Sequence, residues 1–95
     1  MAAYFIAHGT VTDQTKMSEY VEKSGPIFAS FGGEFVTVGG VTHVLIGSHS
    51  RDRVAMFKFP NSTAAEACYN SDAYKALWPL RQEAGDFDFI VFEEF

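Results

Sequence analysis

Apolar positions along the chain fall into two rhythms, and their boundaries predict the fold. AAYFIAHGTV (2–11) is rich in β-forming residues and predicts a strand. Asp13 stands where a helix N-cap belongs, and Met17, Tyr20, Val21, Ser24, Phe28 and Phe31 follow at steps of three and four. That spacing predicts one helical face, kinked or broken at Gly25-Pro26 and ended by Gly32-Gly33. EFVTVGGVTHVLIGS (34–48) reads as extended, with Gly39-Gly40 either a tight hairpin or a bulge within one long strand. GSHSRD (47–52) is turn-like, and RVAMFKF (53–59) is a strand closed by Pro60-Asn61-Ser62. A second helical region starts at TAAEACYN, restarts after Ser71-Asp72, and restarts again with Pro79 in the first turn of a short last helix. Gly85 ends it, and DFDFIVFEEF (86–95) is the final strand.

The order is β-α-β-β-α-β in one domain over residues 1–95, an α+β fold of the ferredoxin-like type. Right-handed crossovers put the last strand beside the first and the third between the first and second. Two helices cover one face of this antiparallel sheet. Period-2 alternation puts Val54 and Met56 on one side of strand 53–59 with Ala55, Phe57 and Phe59 on its other, and Ile90 and Phe92 on one side of the last strand with Phe87, Phe89 and Val91 on its other. Both faces are therefore apolar, and a two-fold partner sheet is the simplest cover for the second. A homodimer packed through its sheet faces, a dimeric α/β barrel, is expected.

Composition sharpens this picture. Of 95 residues, 47% are hydrophobic and ten are phenylalanine, which is much apolar material for so short a chain. The net charge of −5 and the lack of a basic run exclude an electrostatic footprint for nucleic acid or for anionic membrane surfaces. One cysteine, Cys68, excludes an internal disulfide and reads as a packing residue in an Ala-rich helix. No basic leader precedes the first strand and no apolar run approaches the roughly 20 residues of a membrane span, so a cytoplasmic protein is expected.

The topology brings the end of the first strand, the 47–52 turn and the end of the second helical region to one edge. His8, Thr10, Ser48, His49, Ser50, Arg51, Arg81 and Glu83 meet there, a polar group suited to the mouth of a ligand pocket. His49 and His8 are candidate general bases, though a loop histidine can be merely solvated and a strand-end histidine can satisfy a carbonyl. Arg51 and Arg81 are candidates for holding negative charge; for Arg51 the competing reading is simple charge balance with acidic neighbours. His43, just past the glycine pair, reads as structural or exposed. The three histidines lack familiar metal-ligand spacing, and no phosphate-binding, dinucleotide or nucleophile-elbow motif occurs, so neither metal nor cofactor is expected.

YNSDAYKALWPLRQ (69–82) carries the most specific signal. Phe59-Pro60, Tyr69-Asn70-Ser71, Tyr74, Leu77 and Pro79-Leu80-Arg81 resemble the family called domain of unknown function thirteen-thirty, within the dimeric α+β barrel superfamily. Tyr4, Ile6-Ala7, Val11-Thr12-Asp13, Pro26, Gly32-Gly33-x-Phe35 and Gly39-Gly40 extend the resemblance over essentially the whole chain. It implies ferredoxin-like subunits whose sheets pack into a dimer barrel. The superfamily includes cofactor-independent monooxygenases, muconolactone isomerases and haem-binding enzymes, an analogy of fold rather than of site. Glu34 and Val38 stand where many relatives look basic, and Ser48-His49-Ser50-Arg51-Asp52 replaces an aromatic-and-proline stretch.

Two functions remain open. One is a cofactor-independent oxygenase or isomerase acting on an aromatic or enolisable acid, with His49 or His8 as base and Arg51 or Arg81 holding charge. The other is a non-catalytic ligand-binding or structural dimer module. Helical spacing aligns Tyr74, Leu77 and Trp78 as a packing stripe, and leaves Tyr69 and Trp78 as possible pocket walls for a small organic acid.

Overall fold

Four strands and four helical segments, described by a computed structural model over all residues 1–95, build one antiparallel sheet with helices on one face. They are β1 (Ala3–Val11), α1 (Gln14–Ser30), β2 (Glu34–Gly40), β3 (Arg53–Phe59), α2 (Ser62–Tyr69), α3 (Asp72–Lys75), α4 (Trp78–Ala84) and β4 (Gly85–Glu93). The sheet order is β2-β3-β1-β4, as right-handed crossovers require. Ile6 lies opposite Met56 and Ile90, and Phe5 opposite Phe57 and Val91, so the two predicted faces are the observed ones.

The helix caps are where the side chains predicted them. Asp13 accepts from the Lys16 amide at 3.0 Å, Asn61 from the Ala64 amide at 2.8 Å and Ser71 from the Tyr74 amide at 3.2 Å. At the end of α1 the amides of Gly32 and Gly33 donate to the carbonyls of Ala29 and Phe28. This Schellman closure needs the left-handed conformation of Gly32, φ 83°.

The core lies between the sheet and the helices. Phe28 of α1 meets Phe57 of β3 at 4.7 Å and Phe5 of β1 at 5.2 Å between ring centroids. Phe59, Cys68 and Tyr74 are the largest fully buried side chains. Burial pushes the Cys68 thiol up to about 11, so it stays protonated near neutrality and packs as a small apolar group. Gly9 in the middle of β1 lets the Phe87 ring lie flat on the backbone: a Cβ there would come within 2.0 Å of that ring. Gly85, whose own Cβ would meet the Thr10 carbonyl oxygen at 2.3 Å and the same ring at 3.1 Å, completes the recess.

Three expectations are corrected. Gly25-Pro26 neither breaks nor interrupts α1, which runs through Pro26. Gly25, Pro26 and Glu22 are exposed, so the carbonyl that Pro26 cannot serve is open to water. Gly39-Gly40 is neither hairpin nor bulge: both residues sit in the ladder opposite Val54 and Arg53, and the register shift lies at Val36, between Phe35 and Thr37. Finally, the strand stops at Gly40. Residues 41–52 form a long irregular connection, closed at its base where the Val41 amide donates to the Asp52 carbonyl at 2.7 Å. Val44, Leu45 and Ile46 look like strand residues, but their apolar side chains reach the surface, with Leu45 and Ile46 each 93% exposed.

Candidate functional site

The end of β1, the connection 41–52 and β4 line a cleft of about 1050 Å3 that also reaches α2 and α4. His8, Ser48, His49, Ser50, Arg51, Tyr69 and Arg81 all line it. They divide into two groups because successive residues of β4 point to opposite sides of the sheet.

On the face without helices, His8 and His49 pack edge to face, 5.2 Å between centroids. Asp88 sits directly across from His8 in the β1–β4 register. Arg51 reaches over from the connection to bind two carboxylates: Nη1 to Asp86 at 2.7 Å and Nε to Asp88 at 2.8 Å. Its side chain is only 18% exposed, and the hydrogen bonds it donates to Asp88 and Asp86 push its pKa upward. The Arg51 hydrogen bond in turn holds the Asp88 carboxyl below its usual range, with the two histidines adding a smaller pull. Arg51 therefore fastens the connection to the edge strand, and its charge is already answered. His49 itself is exposed.

On the helix face stands Arg81 of α4. Its guanidinium carbon lies 5.1 Å from the centroid of Phe89, 5.8 Å from those of Tyr74 and Trp78, and 5.9 Å from that of Tyr69. Nη1 donates to Tyr74 Oη at 3.1 Å, and the Tyr74 and Tyr20 hydroxyls hydrogen-bond to each other at 2.6 Å. No carboxylate pairs with it. Burial depresses its pKa, but the hydrogen bond it donates to Tyr74, together with the neighbouring Tyr69, raises it overall. Burial raises the Tyr74 phenol, and it raises Tyr20 further still. The result is a half-buried cation boxed by aromatic rings, steered by two neutral phenols, without an anion. Nearby, the indole Nε1 of Trp78 is buried with no hydrogen-bond partner.

Tyr69 and Trp78 thus form walls around Arg81, 5.9 Å apart between ring centroids. Glu83 is committed elsewhere, to Lys16 at 2.9 Å, and His43 stands exposed in the connection beside Thr42. No group of three or more His, Cys, Asp or Glu side chains is placed to hold a metal ion. The Tyr20–Tyr74 hydrogen bond went unread in the sequence, because its partners lie 54 residues apart on separate helices. Helical spacing shows which face Tyr20 and Tyr74 share with the core, not which hydroxyls meet.

No functionally curated protein matches the chain. Among solved structures it is similar to RPA0582, a protein of unknown function from Rhodopseudomonas palustris, with TM-score 0.79 and 20% identity over 99% of this chain and 82% of that one. It is also similar to SnoaB, a cofactor-independent oxygenase from Streptomyces nogalater, with TM-score 0.71 and 12% identity over 99% of this chain and 93% of that one. A dimeric protein of unknown function with a ferredoxin-like fold, from Bacteroides fragilis, superimposes with TM-score 0.67 and 12% identity, covering 98% of this chain and 96% of that one. At such identities the likeness is one of fold, and that fold is ferredoxin-like. The family model "Domain of unknown function (DUF1330)" matches residues 2–95, and the chain belongs to that family.

Proposed function

We propose that the cleft along β4 binds a small aromatic or enolisable organic acid and that the protein acts on it without a cofactor, as an oxygenase or isomerase. Arg81 carries this reading. A half-buried guanidinium with no carboxylate partner, set among rings, is matched to a flat acid: the charge meets the carboxylate or enolate and the rings meet the body. His8 and His49, which line the same cleft from the other side of β4, are the candidate bases, since an imidazole nitrogen can accept a proton from the bound acid. Arg51 serves as the clamp that keeps His49 beside His8, rather than as a second anchor. The likeness to a cofactor-independent oxygenase agrees with this chemistry.

The protein in this reading is a homodimer in the cytoplasm. Ile90 and Phe92, about half exposed on the helix-free face, and the bare apolar tip at Leu45 and Ile46 supply the surface for a second copy. The dimeric description of the Bacteroides fragilis structure supports the same assembly. A second reading, a binding module without catalysis, is favoured by the exposure of His49.

Native mass spectrometry of freshly purified protein identifies any retained acid and the oligomeric state. Proton–deuteron exchange at the α-carbon of an aromatic β-keto acid, followed by NMR, then separates the two readings. The enzyme reading expects exchange that Arg81→Gln abolishes through binding and that His49→Gln or His8→Gln abolishes with binding retained. Binding without exchange in the parent protein supports the module. Unchanged acid binding in Arg81→Gln overturns both assignments of the site.

A further inference from the structure

A second cavity, of about 370 Å3, lies between α1 and the sheet, and 12 of its 16 lining residues are hydrophobic. Met17 and Tyr20 of α1 face Ala55 and Phe57 of β3 across it, with Val21 and Val38 half exposed at its margins. Its volume lies in the range that accepts one small ligand. It shares the rings of Phe5, Phe87 and Phe89 with the β4 cleft, which lies on their other side.

Arg53 is the single charged residue lining this cavity. The sheet register explains why it is free. Its cross-strand neighbours are Gly9 on β1 and Gly40 on β2, and neither has a side chain to offer. Asp52 precedes it in sequence, but the two form no ion pair. The guanidinium makes no ion pair or hydrogen bond within the chain, although the residue is half buried. A partly desolvated arginine with no acceptor, at an otherwise apolar cavity, is a site for one ligand type: an apolar or aromatic body with a single anionic head.

We infer that the α1–sheet cavity is a binding site for an apolar monocarboxylate, with Arg53 holding the head group and the Phe57 side of the sheet holding the body. The site is separate from the Arg81 cleft and does not depend on the function proposed there.

Titration of the isotope-labelled full chain with 2-naphthoate, and with the neutral 2-naphthamide, tests this by NMR. Saturable shifts are expected at amides of Met17 to Phe28 and of Arg53 to Phe57. Arg53→Gln weakens naphthoate roughly tenfold or more, the size of a charge-assisted contact, and leaves naphthamide within about twofold. Val21→Trp, placed at a half-exposed rim position, fills the mouth and removes both ligands while the fold, read by its amide spectrum, persists. Shifts confined to β4 and α4, equal effects of Arg53→Gln on acid and amide, or undiminished binding in Val21→Trp would each overturn the assignment.

Discussion

Tyr74 shows how much one side chain organises. It is fully buried, its ring touches the Phe28 ring, and its hydroxyl joins Tyr20 of α1 to Arg81 of α4. Tyr74→Phe keeps the ring and deletes the hydroxyl, leaving the Arg81 donor and the buried Tyr20 hydroxyl without their partner. The expected loss is about 1–2 kcal/mol in thermal or urea unfolding. A second consequence is alkaline. Burial raises both phenols in the folded state, so above the ordinary phenol value near 10 the unfolded chain gives up protons that the folded chain keeps. The phenols' contribution to stability is fully present below that pH and falls as pH rises beyond it. Tyr74→Phe removes one of the two groups, and urea titrations at pH 9 to 11 should show a shallower decline.

At the scale of elements, the connection 41–52 is the piece held most locally. Arg51 ties it to Asp86 and Asp88, and one backbone bond closes its base. Arg51→Met should release the connection without unfolding the sheet. Thermolysin cleavage at Leu45 or Ile46 should rise severalfold, with the melting temperature of the rest little changed. Asp88 titrates low because Arg51 binds its charged form, so the clamp is present above the ordinary carboxylate range, near 4, and loosens as pH falls through the lowered value. The same cleavage assay, with an acid protease, should show that onset, and high salt should mimic it. The elements themselves were largely legible in the sequence, since alternation at 53–59 and three-to-four spacing at 17–28 report burial directly. Gly39-Gly40 misled because glycine permits a turn without requiring one, and here both stay in the ladder, Gly40 opposite Arg53. Val44-Leu45-Ile46 misled because β-forming residues pair only where a neighbouring strand is offered. His8 and His49 could be brought together from topology alone. The bare state of Arg53 and the caging of Arg81 depend on register and on three short helices, and no periodicity reports those.

At the scale of the whole molecule, helices cover one face, and over the other only the connection 41–52 packs, at the His8 end. Tyr4 stacks on Phe92 there at 5.1 Å between centroids, beside Ile90 and the partly buried Met56. If two copies meet on this face, Ile90→Asp places two charges at their contact. Sedimentation at micromolar concentration should then read a dimer for the parent and a monomer for the variant; a parent that sediments as a monomer removes the assembly. Phe87 lies at a different junction, between the two cavities and against Gly9 and Gly85. Positions 9, 85 and 87 accordingly make one heritable unit. A lineage that gains a side chain at 9 must first shrink 87, so the three should drift together through descent, and both binding spaces would be reshaped whenever they do.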